Sequence, residues 1–222
     1  MSFLDGLLDL LFPPRCTFCR KILSRRERQI CPACVENLPY TRNDFGQTGD
    51  GYTLCVSPLY YEGDVRESFH RFKFKEATGY SKVFGQLIAG CIRENLHGCY
   101  DLISWVPLSR ERLKSRGFDQ AMLLALATAL ELDDVAVETL TKHTDIPAQS
   151  GTSSGAERKQ NVSGVYSASD PELITGKRIL LIDDIITTGA TLSECARTLR
   201  DSGADDVYCA TLARTKLTSA GN

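Results

Sequence analysis

Nothing in this sequence reads as a membrane span, because no stretch approaches the roughly 18 uninterrupted apolar residues that a bilayer-crossing helix needs. A secretory leader is not expected either. The segment from Met1 to Pro14 has no basic n-region, and Asp5 and Asp9 interrupt its apolar residues. It is expected to form a short amphipathic helix with Phe3, Leu4, Leu7, Leu8 and Leu11 on one face and Pro13-Pro14 as its stop. Charge of one sign is not in excess: 26 Lys and Arg stand against 28 Asp and Glu, a net charge of −2 at pH 7. That excludes a surface built throughout as a nucleic-acid sleeve and leaves a local basic patch open. Neither G-x-x-x-x-G-K-[ST] nor a G-x-G-x-x-G opening a helix occurs, so P-loop and Rossmann chemistry fall away. Internal repeats and low-complexity tracts are also absent. What is left is a chain expected to be soluble and cytoplasmic. Its 222 residues, 42% of them hydrophobic, suffice for one ordinary core with or without a small appendage.

Cysteine, by contrast, is plentiful: nine in all. Without a leader a disulfide framework is disfavoured. Cys16, Cys19, Cys31 and Cys34 form C-x2-C, an eleven-residue spacer, and C-x2-C again. Two thiolate pairs on tight turns can converge on one ion, and zinc takes four sulfurs tetrahedrally with no position left for chemistry. A structural zinc knuckle is therefore expected, and the ion would supply the folding energy that so short a segment lacks. Arg20, Lys21, Arg25, Arg26 and Arg28 lie between the pairs, either to touch phosphates or as solvated loop charge. Cys55, Cys91, Cys99, Cys195 and Cys209 have no such spacing and read as small core hydrophobes.

Two modules are expected, 1–40 for the helix and knuckle and 52–216 for the main domain, joined across the Gly, Asn, Asp and Thr-rich stretch Thr41 to Gly51. Strand patterns cover Tyr52 to Tyr61, Asp101 to Val106, Arg178 to Ile182 and Asp206 to Leu212. Helical patterns cover Val65 to Phe74, Gly79 to Leu96, Phe118 to Leu132 and Thr191 to Ser202. Strands alternating with helices imply an α/β fold with a mostly parallel sheet.

The most informative run is Ile179 to Leu192. An apolar strand ends in Asp183-Asp184, and a small hydroxyl-rich turn, Thr187-Thr188-Gly189-Ala190-Thr191, then opens a helix. In a parallel sheet, ligands bind beyond the carboxyl ends of the strands. The turn offers backbone N–H groups and hydroxyls to a phosphate, with Gly189 permitting close approach, while carboxylates accept hydrogen bonds from vicinal ribose hydroxyls. A polar strand end with a good helix cap would explain the turn but not two adjacent acids.

This run resembles the signature of type I phosphoribosyltransferases, which bind phosphoribosyl pyrophosphate (PRPP). The resemblance implies that Asp183 and Asp184 meet the ribose hydroxyls directly or through Mg²⁺, and that Thr187 to Thr191 hold the 5′-phosphate. A second segment, Val106 to Gln120, carries Arg110, Arg112, Lys114 and Arg116 within seven residues before a helix. Such a concentration suits pyrophosphate, with solvated loop charge as the plain alternative. It is similar to the loop of the ComF family of competence-associated proteins, where a basic stretch leads into Arg-Gly-Phe-Asn-Gln; here Asp119 replaces the Asn. The four-cysteine knuckle and Phe69, Lys73 and Phe74 fit the same family. A long polar stretch, Lys142 to Gly164, resembles its flexible loop through Gln149, Arg158, Asn161, Val162 and Gly164. It departs at Lys142, Thr144, Ile146 and Thr152 and by one extra residue before Arg158.

Two functions follow from the resemblance. One is an enzyme, a pentosyl transferase that displaces pyrophosphate from PRPP with Mg²⁺, and the acceptor is not readable. The other is a non-enzymatic sensor or docking module in DNA uptake or natural transformation, with single-stranded DNA or a helicase or recombination protein as partner. Between Cys19 and Cys31 there is no aromatic residue for bases to stack on.

Overall fold

The computed structural model describes residues 13–24, 29–42, 44, 46–74, 77–143 and 164–216. The amphipathic N-terminal segment and the loop residues Gln149, Arg158 and Asn161 lie outside them.

In chain order the elements are α1 (Pro32–Asn37), β1 (Gly46–Gln47), β2 (Leu54–Val56), β3 (Leu59–Tyr60), α2 (Gly63–Phe74), α3 (Ala77–Asn95), β4 (Leu102–Trp105), α4 (Arg110–Arg116) and α5 (Gln120–Leu132). They continue as β5 (Leu140–Lys142), β6 (Tyr166–Ala168), α6 (Pro171–Ile174), β7 (Arg178–Ile186), α7 (Ala190–Asp201) and β8 (Asp206–Arg214). The main sheet runs β1-β2-β8-β7-β4, with β3 also paired to β8. Only β1 is antiparallel in it. Strands β5 and β6 form a separate antiparallel ribbon.

Both faces of this sheet are covered, which is why its central strand is apolar at every position from Ile179 to Ile182 rather than at alternate ones. Along β7, Leu180 and Ile182 join the cluster built with α2, α3 and α5, whereas Ile179 and Leu181 join the one built with α7 and Tyr166 of β6. The alternation continues in β8, with Ala210 and Leu212 on the first face and Val207 and Cys209 on the second. Helices α3 and α5 pack closely because residue 85 is glycine: a Cβ there would stand 2.7 Å from that of Ala127. Cys55, Cys91, Cys195 and Cys209 are buried apolar residues, and Cys99 is half-buried.

Several element boundaries differ from the sequence expectation. Tyr52 to Tyr61 is two short strands, broken at Ser57-Pro58, because proline has no N–H for a ladder. Strand β7 does not end at Asp183-Asp184. It runs on to Ile186, with Ile185 and Ile186 in register with Ala213 and Arg214, since those two isoleucines carry the strand pattern past the acids. The basic stretch is a helix, α4: the Ser109 hydroxyl accepts the N–H of Arg112 at 3.3 Å, and Gly117 closes it at φ 80°.

The described residues of the stretch 41–51 are tied to the fold. Tyr40 bridges Leu59, Gly46-Gln47 pairs with β2, and Asp44 accepts from the Tyr60 hydroxyl at 2.6 Å and pairs with Arg214. The cysteine segment shares the first core, with Phe18 5.9 Å from Phe84 between ring centroids. Arg71 of α2 grips the segment, donating to the carbonyls of Phe18 at 2.5 Å and Thr17 at 3.2 Å.

Candidate functional site

At the carboxyl ends of β4 and β7 lies a cleft of about 200 Å³. Its position follows from the topology, since parallel strands deliver their C-terminal loops to one edge. Asp183 and Asp184 enter it from β7, Val106 and Pro107 follow β4, Arg112 and Arg116 come from α4, Lys73 from α2, and Lys142 and Tyr166 from the β5–β6 ribbon.

The two acids are consecutive in an extended strand, so their side chains leave on opposite faces. Asp183 faces the side of Lys142, Asp184 the side of Lys73 and Arg116. Each is oriented by the next residue's backbone: the N–H of Asp184 donates to Asp183 at 2.8 Å, and that of Ile185 to Asp184 at 2.6 Å. Burial, then the charge of Asp184, pushes the Asp183 carboxyl well above the usual range. Burial also raises Asp184, against the pull of Lys73 and Arg116. An acid pair held in this way favours proton-donating ligands or a hard cation over its bare charged form. Lys73 is lowered by burial and by the positive charges of Arg116 and Arg112.

Beside the cleft, the turn after β7 closes around a smaller hollow of about 40 Å³, lined from Ile185 to Leu192 and by Asp183. It sits at the start of the twelve-residue α7, where backbone N–H groups and the helix dipole favour an anion. Gly189 is required there twice over. Its φ is 75°, and a Cβ would lie 2.9 Å from the hydroxyl of Tyr52, a buried residue packed beneath the turn. Burial drives the Tyr52 phenol up to about 12, so it stays neutral.

The second polar cluster is the cysteine set. The sulfurs of Cys16, Cys19, Cys31 and Cys34 all lie within 4.8 Å of one another, and Cys19 and Cys31 are 3.7 Å apart. Zinc–sulfur bonds of about 2.3 Å at tetrahedral angles put sulfurs ~3.8 Å apart, so the set fits a structural zinc ion. At Cys16, burial is outweighed by backbone N–H donors, which bring the thiol down to about 7, whereas burial and the neighbouring thiols raise Cys34. Among the described residues no other group of three or more His, Cys, Asp or Glu side chains converges in this way.

Two domain models match the chain. The phosphoribosyl transferase domain model matches residues 116–220, and the double zinc ribbon domain model matches residues 7–45. Competence protein F of Haemophilus influenzae is 26% identical over 90% of this chain and 96% of its own length. Competence protein ComFC of Streptococcus pneumoniae is 28% identical over 90% and 87%. DNA utilization protein YhgH of Escherichia coli K12 is 26% identical over 90% of each.

Over nearly its whole length the chain is similar to the ComF and ComFC competence proteins and to YhgH. It is a type I phosphoribosyltransferase domain with a four-cysteine zinc ribbon in front.

Within the chain, the residues singled out in the sequence separate into three groups. Asp183 and Asp184 share the cleft with Arg112, Arg116 and Thr191, while Thr187, Thr188, Gly189, Ala190 and Thr191 line the adjoining hollow. Arg110 and Lys114 are not in the cleft wall. Both are exposed, because a helix with Arg112 and Arg116 four residues apart on one face turns its other basic residues outward. Gln149, Arg158 and Asn161 fall outside the described residues. In the ribbon, Arg20 donates to the Tyr80 hydroxyl at 3.1 Å, a contact internal to the fold.

Sequence reasoning passed over Lys142, Tyr166, Asp119 and Gln120 as site residues. Lys142 lies over the Tyr166 ring, 5.3 Å from its centroid. Asp119 is buried and accepts from the N–H groups of Leu108 at 2.8 Å and Met122 at 3.1 Å, tying the loop after β4 to the start of α5. Its place before a helix was the available signal, since Asp is a strong N-cap. Nothing in the local sequence points Lys142 or Tyr166 at the acids, because they arrive on a separate ribbon.

Proposed function

We propose that this chain binds PRPP with Mg²⁺ in the cleft and acts as a phosphoribosyltransferase-type protein in DNA uptake or DNA utilisation. One observation carries the reading: an adjacent acid pair and a cationic wall face one another in the same cleft, next to a glycine-containing helix start. PRPP demands those three chemistries together, namely vicinal hydroxyls, a pyrophosphate and a terminal phosphate. The site of use is supported by the names of the relatives, two of them competence proteins and one a DNA utilization protein.

In this reading Asp183 and Asp184 accept hydrogen bonds from the ribose hydroxyls and fix the ring. The backbone N–H groups and hydroxyls of Thr187 to Thr191 hold the 5′-phosphate. Arg112 and Arg116, with Lys73 nearby, offset the charge that grows on the pyrophosphate as it leaves. Mg²⁺, a hard cation suited to these oxygen donors, would neutralise further leaving-group charge. Rate enhancement would rest on positioning and charge, since no side chain of the described cleft stands out as a base for an acceptor.

The test is calorimetric titration of PRPP into the zinc-loaded chain and into Asp184→Asn, with and without Mg²⁺. Binding that strengthens with Mg²⁺ and is lost in the variant supports the site. A folded wild type that does not bind PRPP overturns it and turns attention to the docking role.

A further inference from the structure

Gln120 opens the thirteen-residue helix α5 and lines the cleft, yet only 1% of it is exposed. Its two amide atoms have unequal fates. The carbonyl Oε1 accepts from the Arg116 guanidinium at 3.1 Å, while Nε2 has no hydrogen-bond partner among the described residues. The assignment of the two atoms follows from chemistry, because guanidinium nitrogens only donate and so must face the oxygen. An N–H₂ group buried without an acceptor is costly to a fold, and in the wall of a cleft a bound ligand can complete it.

Its surroundings define that missing acceptor. Arg112, Arg116, Lys73 and Lys142 outnumber the carboxyl residues Asp119, Asp183 and Asp184 in the same cleft, and Arg116 is bonded to Gln120 itself, so the field at its amide favours negative charge. Asp119, directly before Gln120, already accepts two backbone N–H groups. The 5′-phosphate hollow is a separate pocket at Thr187 to Thr191 and does not include Gln120. The acceptor is therefore an anionic oxygen on the cationic side of the cleft.

We infer that Gln120 is a ligand-binding residue whose Nε2 donates to a diphosphate oxygen of the substrate, while its Oε1 sets the Arg116 guanidinium to take a neighbouring oxygen. This rests on the PRPP reading above and adds to it a neutral donor inside an otherwise charged subsite. A neutral amide reads oxygen position rather than charge alone, so Gln120 favours a diphosphate of fixed geometry over other polyanions.

Titrations of PRPP and of ribose 5-phosphate, in Mg²⁺, into the full zinc-loaded wild type, Gln120→Met and Gln120→Glu test it. Methionine keeps the length and loses both polar atoms; glutamate keeps an acceptor for Arg116 and loses the donor. PRPP affinity is expected to fall about tenfold or more in both, as for a hydrogen bond to a charged group. Ribose 5-phosphate affinity is expected to stay within twofold, and the ligand-free melting temperature of Gln120→Met to be equal to or above that of wild type. Unchanged PRPP affinity in Gln120→Met, with wild type binding normally, overturns this inference alone. Full rescue by Gln120→Glu also overturns it, by reducing Gln120 to a support for Arg116. A wild type that binds neither probe overturns the PRPP reading and this inference with it.

Discussion

At the ribbon, three of the four cysteines are buried, their sulfurs face one another, and the polar groups around them are committed to the fold. At the cleft, two carboxylates are held above their ordinary range, cations face them, and a buried amide nitrogen has no partner among the described residues. One cluster is closed around a single atom, the other open to something larger. A closed tetrahedral set can only stabilise. An open set of unsatisfied groups loses stability in the ligand-free state and recovers it on binding. The two clusters touch the same core through Phe18 and Phe84 on one side and Phe72 and Lys73 on the other, so a perturbation at either can be read against the other.

The largest effect is expected at the closed site. Cys31→Ser should take zinc from about one ion per chain to near none, because structural zinc supplies on the order of 10 kcal/mol to such a segment. Metal analysis and protease sensitivity between residues 13 and 41 report it, with a fall of several degrees in melting temperature through the shared Phe18–Phe84 packing. Full zinc retention would erase the contrast between the clusters.

At the open site, Arg116→Ala should weaken PRPP binding roughly tenfold, while Arg110→Ala, at the other end of the helix on its exposed face, should change it less than about twofold. Equal losses would mean that the basic helix acts as a diffuse field rather than through one face. Raising the salt concentration separates these, since a diffuse effect is screened.

A smaller effect, of opposite sign to that at the ribbon, is expected from the acids in the absence of ligand. Carboxyls raised in the folded state keep protons that the unfolded chain has released. Their favourable contribution is complete below the unfolded value near pH 4 and is lost as pH rises through the folded values. Asp184→Asn should flatten that decline and raise the ligand-free melting temperature near pH 7 by roughly 2–4 °C, equivalent to about 1 kcal/mol in a chain of this size. A variant that melts lower at pH 7 would place the acids among the stabilising groups.

The smallest effect belongs to the opposite edge of the sheet. There the Arg178 side chain, then its backbone N–H, hold the Asp101 carboxyl well below its usual range. Its stabilisation is present above about pH 4 and lost as pH falls below it. Asp101→Asn should leave the melting temperature near pH 7 almost unchanged and make the acid limb shallower. A neutral-pH loss as large as that of Cys31→Ser would make this surface pair a structural centre, contrary to its exposure.

Much of the molecule is legible where a local pattern has one cheap solution. Doubled C-x2-C spacing leaves four thiols little to do except converge on a metal. From Ile179 to Ile182 the run Arg178 to Ile182 has to be a strand covered on both faces, because these four residues have no polar side to offer to water. The turn around Gly189 is legible as a close-approach turn that opens a helix. Where two local solutions compete, the sequence alone does not choose: four basic residues in seven suit a loop as well as a helix, and the Ser109 cap and Gly117 stop tip the balance to α4, which splits those residues into two faces.

By itself, then, the sequence determined the zinc ribbon, the parallel α/β class, the acid pair and the glycine-containing turn that opens a helix, since each is written in residues close together in the chain. Only the tertiary structure decided that Arg112 and Arg116 face the acids while Arg110 and Lys114 do not, that Lys73, Lys142 and Tyr166 complete the cleft, that Tyr52 props the Gly189 turn, and that Gln120 is buried with a donor to spare. Those facts depend on which faces meet when helices and ribbons from distant parts of the chain pack at one sheet edge. Burial and partnership arise there from packing, and no spacing along the chain encodes them.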